Sequence, residues 1–129
     1  ILLGVFMISG KCFPTRLPVK WYTKEPIGKH PDLPGITGMR VIIVIDKKFG
    51  FLEKFIAKLF KAPNKLERPL DDMNSLFWEL MDGSRTFDDI CNIMDNTFHE
   101  RIAPVSERLN SSLINLINLN LAIIINKKS

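Results

Sequence analysis

The chain has 129 residues, 46% hydrophobic and 25% charged, an ordinary globular balance and enough for one domain around one core. Its net charge of +4 is unevenly held: residues 1–70 carry 13 Lys and Arg against 5 Asp and Glu, and residues 71–129 carry 5 against 9, so an anionic partner is expected at the first half. Cys12 and Cys91 are far apart and fit no metal or redox spacing, so a reducing cytoplasm is the expected setting.

The opening run ILLGVFMI is eight residues, too short to span a bilayer. It lacks the basic flank and cleavage site of a secretory signal. Ser9-Gly10-Lys11-Cys12 approaches a lipoprotein box, but Lys11 stands where a small residue is needed. Export is therefore not expected. From Phe13 to Gly38 the density of Pro and Gly forbids a long helix and allows one short strand, about Val19 to Thr23. Met39 to Asp46, MRVIIVID, is the clearest strand, apolar on both faces, so both should be covered. Phe49 to Lys61 reads as an amphipathic helix with lysines opposite the apolar side, lidding the sheet or lying on an anionic membrane surface. Lys65 to Pro69 suits an edge strand, since proline is tolerated there.

The stretch from Leu70 to Phe98 is the strongest structural signal, two short helices joined by a tight turn. Asp71 or Asp72 caps the first, and Met73, Leu76, Phe77, Leu80 and Met81 form its stripe, with Trp78 at the rim. Gly83 is expected to end it. Thr86 and Asp89 form a near capping box for the second, whose stripe is Phe87, Ile90, Cys91, Met94 and Phe98. A third helix opens near Pro104, buries Val105, Leu109, Ser112, Leu113 and Leu116, and closes at Asn120 in the left-handed conformation. Leu121 to Ile125 reads as a last strand or a packed tail. The fold class is α+β: a winged-helix-like three-helix domain (39–126) with a small antiparallel sheet, preceded by an elaborated Pro/Gly-rich segment (1–38).

No catalytic constellation stands out. His30 and His99 have no cysteine or carboxylate cluster at metal spacing, no phosphate loop or nucleophile elbow is present, and Asp88 and Asp89 read as first-turn charges, so neither enzyme activity nor a metal is expected. DNA binding is the competing class. Residues 87–100 carry four acids and no Lys or Arg, and the third helix offers Arg108 offset by Glu107, so a groove would repel them and no nucleic acid is expected.

Leu80-Met81-Asp82-Gly83-Ser84-Arg85-Thr86-Phe87-Asp88-Asp89-Ile90 resembles the signature of the PqqD family, the pyrroloquinoline quinone biosynthesis protein D relatives. The resemblance spans about residues 65–125, with Asn120 where the family often has Gly and a longer front segment. It implies a non-catalytic, cofactor-free module, a recognition element for ribosomally made, post-translationally modified peptides. Such a module holds a precursor's leader peptide as an added strand and presents it to a modifying enzyme, frequently a radical S-adenosylmethionine protein. Mapped here, the receiving strand is Lys65, Leu66, Glu67 and Arg68, where Lys65 and Arg68 favour an acidic leader. The other wall is the third helix, where Ile114 points away from the inner stripe between Asn110 and Asn118. Weak membrane-surface contact through residues 49–61 is compatible with this reading.

Overall fold

The computed structural model describes residues 8–46 and 65–126. The expected strand at 13–38 is two strands, β1 (Phe13–Arg16) and β2 (Lys20–Pro26), followed by β3 (Met39–Asp46) and β4 (Lys65–Pro69). Three helices then run as α1 (Asp72–Leu80), α2 (Phe87–Phe98) and α3 (Val105–Asn118), with a 3-10 turn at His99–Ile102 before α3 and β5 (Ala122–Ile125) after it. β2, β3 and β4 form one antiparallel sheet in that order, and β1 pairs antiparallel with β5 in a second. The class is α+β, as the patterning predicts. The basic helix expected at 49–61 and the opening residues 1–7 lie outside the described residues.

Cap chemistry sets the helix boundaries. Asp71 Oδ1 accepts from Asn74 N–H at 2.7 Å and starts α1. At α2 the first free N–H groups are all satisfied. Thr86 and Asp89 exchange the two bonds of a capping box. Phe87 N–H and Asp88 N–H donate to the carbonyls of Cys12 (2.9 Å) and Gly10 (3.0 Å). The front segment thus completes the cap of a helix far along the chain. It also fixes Ile8, whose N–H donates to Asn110 Oδ1 at 2.7 Å.

Gly83 is not the residue that stops α1. The helix ends at Leu80 with Met81 as C-cap, because β1 takes over the chain there: Arg16 N–H donates to Met81 O at 2.9 Å and Thr15 bridges Asp82. Gly83 comes next at φ +86°, where a side chain would be strained and would press on Thr15 at 3.3 Å. α1 has no basic residue in its last turn. Its last carbonyls are served from β1 instead, by Arg16 Nη1 donating to Trp78 O (2.8 Å) and Glu79 O (2.9 Å).

Trp78 is not at a rim. It is fully buried, edge-on to Trp21 at 6.2 Å, and the six residues Ser75 to Leu80 are all buried. Two of its polar side chains, Ser75 and Glu79, are paired, while the buried Trp78 Nε1 has no hydrogen-bond partner among the described residues. Ser75 Oγ donates to Leu70 O and accepts from Val41 N–H; Glu79 carboxylate oxygens accept from the N–H and hydroxyl of Thr37. The Pro/Gly-rich loop is therefore pinned across the second face of α1, enclosing a helix that its periodicity marks as one-sided.

α3 closes in a Schellman arrangement. Asn120 sits at φ +61°, its N–H donating to Ile117 O (3.0 Å), while Leu121 N–H reaches Leu116 O (2.9 Å). Leu121 and Leu116, both buried, make the accompanying apolar contact. Asn120→Gly is expected to raise stability by ~0.5 kcal/mol, and Asn120→Ala to lower it by ~1 kcal/mol, in urea unfolding. Pro104 is the N-cap of α3, one residue before the first turn.

Both cysteines are free and buried. Burial pushes the Cys91 thiol up to about 11, against a bond with Ser106 that lowers it, and Asp88 adds to the rise. A folded pKa above the unfolded value means the contribution is full below the ordinary thiol value and is lost as pH rises toward about 11. Stability should therefore fall on the alkaline side of ~9, with a shallower slope in Cys91→Ala, read by urea midpoints across that range.

Candidate peptide-binding edge

β4 pairs with β3 through the register Ile42–Pro69, Ile43–Arg68, Val44–Glu67, Ile45–Leu66 and Asp46–Lys65. Leu70 N–H continues the ladder to Val41 O at 2.9 Å, which puts Val41 and Leu70 at a bonded position of the register, with Ser75 Oγ standing between Val41 N–H and Leu70 O in place of the return bond. Antiparallel pairs alternate between bonded and unbonded positions. Arg68 and Leu66 therefore bond inward to β3, while the backbone groups of Lys65, Glu67 and Pro69 face the outer edge. Pro69, having no N–H, occupies an outward position, the place where a strand tolerates it. Among the described residues no strand pairs with that outer edge. It presents the N–H and C=O of Lys65 and Glu67, and the C=O of Pro69.

Side chains alternate across the strand as well. Leu66 and Arg68 lie on the same side of the sheet as the core residues Ile43 and Ile45, facing the helices. Leu66 is 48% exposed, an apolar side chain at an edge that is unpaired among the described residues. Glu67 is on the opposite side, the face that carries Tyr22, whose hydroxyl pKa burial and the nearby Glu67 carboxylate push up.

One residue past Leu70 the chain enters a cavity of about 440 Å³ between the start of α1 and the first half of α3. Its lining includes Met73, Ile102 and Leu109 as an apolar base, with Asn74, Arg108 and Ser112 among its polar members. Arg101 pairs with Asp72 at 2.9 Å, and Arg108 Nη1 donates to Arg101 O at 3.1 Å, tying the 3-10 turn to both helices beside this cavity.

The structure places Lys65, Leu66, Glu67 and Arg68 together on β4, as the sequence suggested. It separates them from the expected wall residues of α3. Asn110 is buried and holds Ile8; Ile114 is half-buried against the core rather than exposed; Asn118 is exposed. At 100° per residue Asn110 and Ile114 lie roughly 160° and 120° around α3 from Arg108, which lines the cavity. The front segment occupies the Asn110 flank, so the wall beside the cavity is Glu107, Arg108, Ser111 and Ser112. Glu107 and Ser111 lie opposite the buried stripe at Leu109 and Leu113, a signal that could have found them, whereas Arg108 and Ser112 flank that stripe at roughly 100° and 60° from Leu109.

The Asp-Gly turn that carries the resemblance is built from short bonds. Asp82 Oδ1 accepts from Ser84 N–H (2.9 Å) and hydroxyl (2.6 Å), and Arg85 pairs with its other oxygen at 3.3 Å. Partial burial pushes the Asp82 carboxyl up, but the Ser84 bonds and the charges of Arg85 and Arg16 outweigh it and hold the group below its ordinary value. The turn organises the fold and is separate from the open edge.

Among the described residues no group of three or more His, Cys, Asp or Glu is placed to hold a metal ion, and no helix is long and apolar enough to cross a membrane. His30 and His99, distant in sequence, line one shallow cavity with Leu33 and Ile93. Comparison with protein-family models, curated proteins and solved structures returns no match.

Proposed function

We propose that this chain is a peptide-recognition module of the PqqD kind, which takes an extended segment of a precursor as an added strand on β4 and holds it for a modifying enzyme. The carrying observation is the one-sided pairing of β4, with the Lys65 and Glu67 backbone groups directed outward next to a cavity that opens at Asp71. Main-chain bonds would supply affinity without regard to sequence; Leu66 and Arg68 on the helix side would select an apolar and an acidic residue at alternate guest positions. Arg68 and Lys65 give the edge two cations against Glu67, in keeping with an acidic leader. The chain itself would do no chemistry, and a radical S-adenosylmethionine protein is the enzyme class the resemblance suggests.

The test is selection from a displayed library of random extended peptides on the immobilised full chain, followed by amide shift mapping with a selected peptide. Shifts concentrated at residues 65–70 and along Glu107 to Ser112 support the reading. Binders that map to the α2 face, or salt-dependent binding of duplex DNA in their place, would reject it.

A further inference from the structure

Three strand edges are unpaired among the described residues: the outer sides of β2, β4 and β5. Natural sheets guard such edges with charge, proline or a bulge. β2 has all three, in Lys20, Lys24, the irregularity between Lys24 and Pro26, and Pro26 itself, with Glu25 at φ +56°. β4 has Lys65, Glu67, Arg68 and Pro69. β5, Ala-Ile-Ile-Ile, has none, and no charged residue occurs from Leu109 to Asn126. Three of the large apolar side chains left exposed, Leu119, Ile123 and Ile125, gather there.

We infer that the β5 edge is a self-association surface, and that its occupant is the β5 edge of a second copy of this chain. The hydrogen-bond register makes the edge complementary to itself. Leu17 N–H donates to Leu121 O at 3.0 Å, so Leu17–Leu121 is a bonded pair and the alternation turns Ala122 and Ile124 away from β1. Pro14, opposite Ile124, falls at an unbonded position as its missing N–H requires. A two-fold axis through Ile123 then sets Ala122 of one copy against Ile124 of the other, and the reverse. Every outward N–H in this stretch meets an outward C=O, with no proline to interrupt. Ile123 faces its own counterpart at the unbonded position, where side chains come closest. The product is a four-stranded sheet with β1 at each margin, and its exposed face joins Phe13, Ile123 and Ile125 of both copies. An uncharged row repeated on itself carries no repulsion, whereas a charged partner would find no counter-charge there. The contact is short, so the dimer is reversible rather than obligate.

This inference is independent of peptide binding at β4. Sedimentation equilibrium of the full chain is expected to show the mass rising from 14.8 kDa toward twice that value with concentration up to ~0.5 mM. Ile123→Lys should weaken the association at least ~10-fold, and Leu66→Lys on the β4 edge should leave it unchanged. Tryptophan emission from the half-buried Trp21 and the buried Trp78 reports that each variant is folded. Concentration-dependent amide shifts of the unaltered chain, confined to Ala122 to Ile125 and their surroundings, give the same answer without a substitution. A chain that stays monomeric at the highest concentration, a dimer insensitive to Ile123→Lys, or dilution shifts that map to β4 would each overturn the inference.

Discussion

Glu67→Pro is expected to leave the chain folded and to weaken peptide capture by roughly 30- to 100-fold, a loss of ~2–3 kcal/mol. Glu67 is the central outward position of β4, so its N–H bonds nothing in the sheet, and proline there repeats what Pro69 already does two residues on. The folded chain loses the exposed Glu67 carboxylate near Tyr22 and little else. A guest strand loses a donor from the middle of its ladder and meets the pyrrolidine ring in its path. Arg68→Pro makes the contrast. Its N–H is directed to Ile43 on the central strand, and removing it should cost the free protein ~2 kcal/mol by leaving a buried acceptor without its partner. Isothermal calorimetry with a library-selected peptide, alongside urea unfolding of both variants, separates the two. Comparable loss of stability in both would show that the alternation along β4 is assigned the wrong way round.

The largest effect on stability should come from Arg16→Met, at ~2–4 kcal/mol and a fall in melting temperature of roughly 10 °C. Burial lowers the Arg16 pKa, while the charges of Asp82 and Glu79 favour its charged form. The charge is kept because its Nη1 is bonded to two carbonyls at the end of α1, and the guanidinium lies 5.1 Å from the centre of the Trp21 ring. Methionine keeps the apolar stem and removes the donors, so the Trp78 and Glu79 carbonyls are left without this partner in a partly buried site. Arg16→Lys should recover part of the loss, since one ammonium cannot reproduce the planar fork and its stacking. Thermal unfolding followed by circular dichroism ranks the three chains. An Arg16→Met protein as stable as the parent would mean that α1 is closed by something other than β1.

What was legible in the sequence is what short-range chemistry determines. β3 follows from a β-branched run between Gly38 and two lysines, and β4 from a proline that only an edge admits. The Asp71 cap, the Thr86–Asp89 box and the left-handed Asn120 depend on side chains reaching their own backbone within a few residues. What was not legible depends on partners far along the chain. β1 contains Pro14 and exists because β5 and Asp82 meet it on its two sides. Trp78 reads as a rim residue by periodicity and is enclosed by Trp21 and by the loop that Thr37 pins to Glu79. Asn110 reads as surface and is buried because Ile8 folds back onto it.

The candidate site divides along the same line. Its edge strand was visible in five residues, Lys65 to Pro69. On α3 the expected wall residues Asn110 and Ile114 prove buried and half-buried, since a helical wheel shows which side is apolar without showing which polar flank the front segment will occupy. Arg108 and Ser112, not Asn110 and Ile114, line the cavity beside α1.

The most direct test of strand addition is amide hydrogen exchange at β4, measured residue by residue with and without a saturating library-selected peptide. In the free chain Leu66 and Arg68 should exchange slowly and Lys65 and Glu67 fast, and the peptide should slow Lys65 and Glu67 by at least ~10-fold while leaving Leu66 and Arg68 nearly unchanged. Slow exchange at Glu67 in the free chain, or a bound peptide that leaves Glu67 fast, would contradict it.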